Sequence, residues 1–155
     1  MRSTGDDARS ETSDREIVNT RVLHAPREQV FRAWIEPEIL ARWWGPKGFR
    51  NTFQEFDPTP GGRWRFVMHA PNGVDFPNES VFEEIVPPER IVFRHLSPVH
   101  AFQLVATFAE EGGLTRLTFR MRFETAAECA KVKGFVPEAN EQNLDRLEAE
   151  LARMA

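Results

Sequence analysis

Trp34-Ile35-Glu36-Pro37-Glu38-Ile39-Leu40-Ala41-Arg42-Trp43-Trp44-Gly45-Pro46 is the stretch on which the fold turns. It holds three of the chain's 4 tryptophans. Tryptophan is large, flat and apolar, with one N–H that wants a partner. Such a cluster is either the keystone of a core or the wall of a cavity. Glu36-Pro37 breaks one helix and starts another, and Pro26 suits the first position of the earlier one, where its missing N–H costs nothing. Ile39, Leu40, Trp43 and Trp44 follow at helical spacing until Gly45-Pro46 ends the segment. Upstream, Glu16 to His24 is rich in β-branched residues and reads as a strand. Ala25-Pro26 stops that strand, and Val30, Phe31 and Trp34 then share one face of a first short helix.

Downstream of residue 49 the hydrophobic period changes from helical to two. After the Pro60-Gly61-Gly62 turn, Trp64, Phe66 and Met68 alternate with Arg63, Arg65 and Val67. Pro71-Asn72-Gly73 marks a turn. Strands are expected from Ser80 to Val86, closed by Pro87-Pro88, and from Arg90 to Leu96. Phe102, Leu104, Ala106 and Phe108 then alternate with Gln103, Val105 and Thr107. Beyond the Glu110-Glu111-Gly112-Gly113 turn, Leu117, Phe119, Met121 and Phe123 face one way. Arg116, Thr118, Arg120 and Arg122 face the other, as a solvated outer row. Thr125 to Glu128 fits a capping box. After the Gly134–Pro137 interruption, a long helix carries Asn140, Leu144, Leu147, Leu151 and Met154 on one stripe. The order is strand, two short helices, about six strands at hairpin spacing, then a helix whose apolar stripe must lie across a curved antiparallel sheet.

A length of 155 residues suits one domain. Residues 1–14 carry almost nothing apolar and are expected to be a disordered tail, with residues 15–155 as the domain. A net charge of −4 argues against general nucleic-acid binding. No apolar run reaches the length of a membrane span. The single Cys129 cannot make an internal disulfide and is compatible with a reducing cytosol, so the expected location is cytoplasmic. There are 13 Phe and no Tyr, so no phenol is available as a proton donor.

Several motifs in this order resemble one known family. They are Ala25-Pro26, Val30-Phe31 with Ala33-Trp34, Trp43-Trp44-Gly45-Pro46, Gly61-Gly62 with Trp64, Pro87-Pro88-Glu89-Arg90, and Gly134-Phe135 followed by Leu144 and Leu147. The family is the domain related to the C-terminal part of the activator of heat-shock protein 90 ATPase, in the START/pollen-allergen-like helix-grip (SRPBCC) superfamily. The resemblance spans roughly residues 15–154. It implies an α+β fold in which a sheet of six to seven strands grips the last helix around an elongated, mostly apolar cavity. Relatives often carry Trp where this chain has Phe135, which alters the expected kink and cavity mouth. Members range from ligand carriers to polyketide cyclases, so the fold does not choose a reaction.

The residues themselves offer no Cys/His metal set, phosphate loop, nucleophile elbow or dinucleotide fingerprint, and no cofactor is expected. His24, His69 and His100 read as surface residues. His95 shares parity with Ile91 and Phe93 and is expected to face the cavity. Glu83 and Glu84 fall on opposite faces, so one must point inward unless the strand bulges, and His95 is then its natural partner. Trp44, Trp64, Phe66 and Met68 are candidate ligand contacts. So are Phe93, His95, Phe102 and Leu104, with Phe119, Met121 and Leu144 completing the set. Flat rings with flexible Met suit an adaptable apolar pocket. The expected function is binding of a small hydrophobic or aromatic molecule, without a catalytic residue. The alternatives are a cyclase- or dehydratase-like enzyme using His95 with Glu83 or Glu84, and a chaperone-associated stress regulator. A homodimer and a chaperone or regulator partner stay open.

Overall fold

A computed structural model describes residues 14–97 and 101–155. The expected tail, apart from Asp14, and the His100 turn lie outside the described residues.

The elements run β1 (Glu16–Leu23), α1 (Arg27–Ile35), α2 (Pro37–Trp43), β2 (Arg50–Phe56), β3 (Arg63–His69), β4 (Asp75–Val86), β5 (Arg90–Ser97), β6 (Phe102–Glu111), β7 (Leu114–Phe123), α3 (Ala126–Val132) and α4 (Val136–Met154). All seven strands form one antiparallel sheet in the order β1-β7-β6-β5-β4-β3-β2. Strands β2 to β7 are therefore a simple meander. The first strand closes the far side by pairing Ile17 with Met121 and Asn19 with Phe119. This is the α+β helix-grip arrangement that the family resemblance implied.

Register shifts bend the meander: one in β2 between Phe53 and Glu55, one in β5 where Leu96 is the extra residue opposite Glu79/Ser80, and one in β4 between Phe82 and Glu84. Each bulge kinks its strand and increases the local twist, curving the sheet toward the helix. Strand β4 is longer than expected, beginning at Asp75 rather than Ser80. Residues Asp75 to Asn78 pair with β3, and pairing with β5 starts only at Glu79. Pro77 thus sits where β4 is paired on one side alone, which is where a strand tolerates a residue without an N–H.

Helix α4 buries Asn140, Asn143, Leu144, Leu147, Glu150 and Leu151 against the sheet and the short helices. Two of its carboxylates are ion-paired, Glu150 on that buried face and the half-exposed Glu141 beside it. The Glu150 carboxylate accepts from Arg42 Nη1 at 3.0 Å and Arg153 Nη2 at 2.6 Å. Burial alone would raise its pKa, but hydrogen bonds and charge from Arg153 and Arg42 outweigh this and hold it below the usual range. Glu141 is lowered likewise, first by the Asn19 amide and then by Arg21. A carboxylate with a depressed folded pKa stabilises above its unfolded value and loses that contribution as pH falls through the folded one. Melting temperature is therefore expected to drop below about pH 4 to 5. Glu150→Gln is expected to cost about 2 kcal/mol at neutral pH and to flatten the acid limb. A titration of melting temperature with the same acid limb in both proteins would show that this ion pair contributes nothing.

Candidate ligand-binding cavity

The tryptophans divide between the two roles that their clustering allows. Trp43, in the last turn of α2, is fully buried and donates Nε1 to the Ala33 carbonyl at 3.0 Å. Trp34 packs edge-on against Trp43 and Trp44, with centroids 5.1 and 5.6 Å away. These two form the keystone. Trp44 is the residue where α2 ends, in an extended conformation (φ −70°, ψ 133°). It meets Trp64 at 5.2 Å, and both rings border a cavity between the sheet and α4.

That cavity has a volume of about 240 Å³. Its sheet side is Trp64, Phe66 and Met68 from β3, Phe93 and His95 from β5, Phe102 and Leu104 from β6, and Phe119 and Met121 from β7. With Trp44, ten of the eleven residues expected at the site share one cavity. Leu144 is the exception: it is fully buried and belongs to the core under α4. The helical stripe is wider than one residue per turn, and the cavity is met by the turn before it, at Val136, Ala139, Asn140 and Asn143.

The polar lining is what the pattern did not reveal. Asn78, Ser80, Asn140 and Asn143 all border the cavity, together with His95. Ser80 pairs with His95 just past the Leu96 bulge of β5, and Asn78 pairs with Phe66 of β3. The His95 ring stacks on Phe102, with centroids 4.9 Å apart, and its Nδ1 lies 3.5 Å from Ser80 Oγ. Asn140 was visible on the stripe; Asn143, three residues on and four before Leu147, lies on the same face but was not counted in it.

Glu83 and Glu84 do not join His95. The bulge of β4 places both outside: Glu83 bonds Arg94 and Gln103, and Glu84 pairs with Arg90. The Gln103 hydrogen bond is the chief reason that the Glu83 pKa is lowered, with Arg94 adding to it. Neither glutamate is therefore placed beside His95. Arg120 and Arg122 both clasp the buried Glu16, so that outer row is ion-paired rather than simply solvated. His24 is exposed as expected, whereas His69 is half-buried, 2.7 Å from Thr52 and 2.8 Å from Asp75. Among the described residues no group of acids, His and Cys could hold a metal ion. No described helix is long and apolar enough to cross a membrane.

The mouth loop is pinned from α4. Arg146 donates Nη1 to the carbonyls of Trp44, Gly45 and Pro46 and Nη2 to that of Arg42, at 2.8–3.1 Å. Burial lowers its pKa. Gly45 has φ +101°, a left-handed conformation that favours glycine, and its N–H donates to Asn143 Oδ1 at 3.1 Å. The cavity wall is therefore bonded to the helix that spans it.

Comparison with known proteins places this geometry. No curated protein matches the chain. The crystal structure of a protein from Nitrosomonas europaea is similar at 23% identity and a TM-score of 0.83, over 92% of this chain and 97% of that one. A solution structure from Arthrobacter aurescens gives 22% identity and a TM-score of 0.85, over 92% and 88%. An AHSA1 protein from Silicibacter pomeroyi gives 22% and 0.72, over 90% and 99%. At these identities the likeness speaks for the fold. Residues 24–152 match the family described as Activator of Hsp90 ATPase homolog 1-like protein, and the chain belongs to that family.

Proposed function

We propose that this chain binds one small, largely apolar or aromatic molecule in the cavity between the sheet and α4. The observation that carries this reading is the cavity itself: aromatic rings and Met on the sheet side, and a few convergent polar groups on the helix side. Its volume of about 240 Å³ limits the occupant. A void of about 150 Å³ accommodates benzene, so one or two fused rings are the expected size. Membership of the family does not name the molecule.

Binding of naphthalene-sized probes should quench tryptophan fluorescence, because Trp44 and Trp64 both border the space. Native mass spectrometry of the freshly purified protein would identify a molecule that co-purifies. His95→Phe should keep the fold, since a ring stacked on Phe102 is replaced by another ring. It should shift preference severalfold toward less polar probes, because the imidazole is lost as a hydrogen-bonding group. An unchanged probe ranking in that variant would remove His95 from the site. Failure of every one- and two-ring probe to bind would remove the site.

A further inference from the structure

Hydrogen bonds around α4 fix which atoms of two asparagines are left over. An asparagine amide has one acceptor oxygen and one donor nitrogen, and its orientation follows from its partners. The Gly45 N–H can only donate, so the Asn143 atom 3.1 Å from it is Oδ1. Nδ2 of Asn143 is then uncommitted among the described residues. Asn140 is fixed by a longer chain. Asn19 donates Nδ2 to the Pro137 carbonyl at 3.2 Å and to the Glu141 carboxylate at 2.7 Å, both of which are acceptors. Oδ1 of Asn19 must therefore face Asn140, which answers with Nδ2 at 3.1 Å. The same Nδ2 lies 3.4 Å from Met121 Sδ. This leaves Oδ1 of Asn140 uncommitted among the described residues.

Both side chains are buried, 8% and 5% exposed, and both line the cavity. Their spacing of i and i+3 puts them side by side on one helix face. Neither uncommitted atom is among the buried polar atoms sealed off without a partner. The α4 side of the cavity thus carries two asparagines with one uncommitted donor and one uncommitted acceptor between them. Among its described lining residues there is no Asp, Glu, Lys or Arg. A cation would have to bury its charge there without a counter-ion, and an anion would meet only His95 as a group able to carry positive charge, whereas a neutral ligand meets no such cost.

We propose that the cavity selects a neutral ring compound bearing a carbonyl and a hydroxyl or N–H on one edge. Asn143 Nδ2 donates to the carbonyl, and Asn140 Oδ1 accepts from the hydroxyl or N–H. The apolar remainder lies against Trp44, Trp64 and Phe119. This rests on the binding reading above and adds the chemical class of the ligand.

Three isosteric bicyclic probes separate the two claims. Isoquinolone carries carbonyl and N–H, isocoumarin keeps the carbonyl alone, and naphthalene has neither. Titration calorimetry is expected to show isoquinolone bound about tenfold more tightly than naphthalene, with isocoumarin between them. Asn143→Asp retains an acceptor for the Gly45 N–H but presents no donor to the ligand. It is expected to lose the tenfold preference, and so is Asn143→Leu, which should still bind naphthalene. Should naphthalene bind the unaltered protein as tightly as isoquinolone does, the donor–acceptor pair is not a recognition element, although the cavity remains a binding site. Should none of the three bind, both readings fall. A preference that survives in both Asn143 variants would overturn the assignment to Asn143.

Discussion

Gly62→Ala is expected to destabilise the domain by about 3 kcal/mol or more, while its neighbour Gly61→Ala costs only about 1–2 kcal/mol. A Cβ on Gly62 would stand 2.0 Å from the Asp57 carbonyl oxygen and 2.7 Å from Asp57 Cγ. Neither side can move cheaply. The Gly62 N–H donates to the Thr59 carbonyl at 2.7 Å, and its own carbonyl accepts from Phe82 N at 2.9 Å. Asp57 is held by its N–H to the Arg63 carbonyl at 2.9 Å. Shifting either strand end would break the bonds that start β3 beside β4, just before Trp64. At Gly61 nothing lies within 4 Å, so an added methyl meets only the penalty of φ +86°. Urea denaturation of the two variants measures the difference. Equal losses would mean that the turn relaxes and that backbone conformation, not contact, sets the requirement.

How much of this was legible beforehand differs between fold and site. Alternation in Trp64, Phe66 and Met68, and again in Leu117, Phe119, Met121 and Phe123, reported the inward face of β3 and β7, because a half-buried strand has a strict period of two. The same arithmetic failed wherever a bulge inserted a residue. Parity sends one of Glu83 and Glu84 inward unless the strand bulges, and the shift between Phe82 and Glu84 is such a bulge, with both residues exposed. Bulges have no composition of their own in this chain, so the direction of Glu83 and Glu84 could not be read from alternation. The apolar lining was readable, since large rings announce burial by their cost in water. Of its polar lining only His95 was read as facing the cavity. Asn143 looks like any polar helix residue until Gly45, about a hundred positions away, is found donating to it. Long-range hydrogen bonds are properties of topology, and no local pattern carries them.

Among the variants considered, Trp64→Ala is expected to have the largest effect, a loss of about 3–5 kcal/mol, and Trp64→Phe a small one. Trp64 is 1% exposed and lies at the junction of the cavity wall and the aromatic core. Its ring stacks on Phe66 at 4.5 Å and on Phe82 at 6.1 Å. It meets Phe53, Phe56 and Phe93 edge-on at 5.6, 5.9 and 5.3 Å. Truncation to alanine opens a void beside an existing one, and the surrounding rings, fixed to four strands, cannot collapse into it. Phenylalanine keeps most of those contacts. It also deletes the Nε1 donor, which is buried without a protein partner and therefore contributes a desolvation cost instead of a bond. The two effects oppose each other, so Trp64→Phe should lose less than about 1.5 kcal/mol despite its smaller volume. Thermal denaturation of both variants, with binding of an apolar probe measured in Trp64→Phe, decides the point. A loss in Trp64→Phe as large as in Trp64→Ala would mean that Nε1 holds an acceptor, such as a bound water, on which the wall depends. A stable Trp64→Ala protein would instead mean that this side of the cavity is soft enough to close over the missing ring.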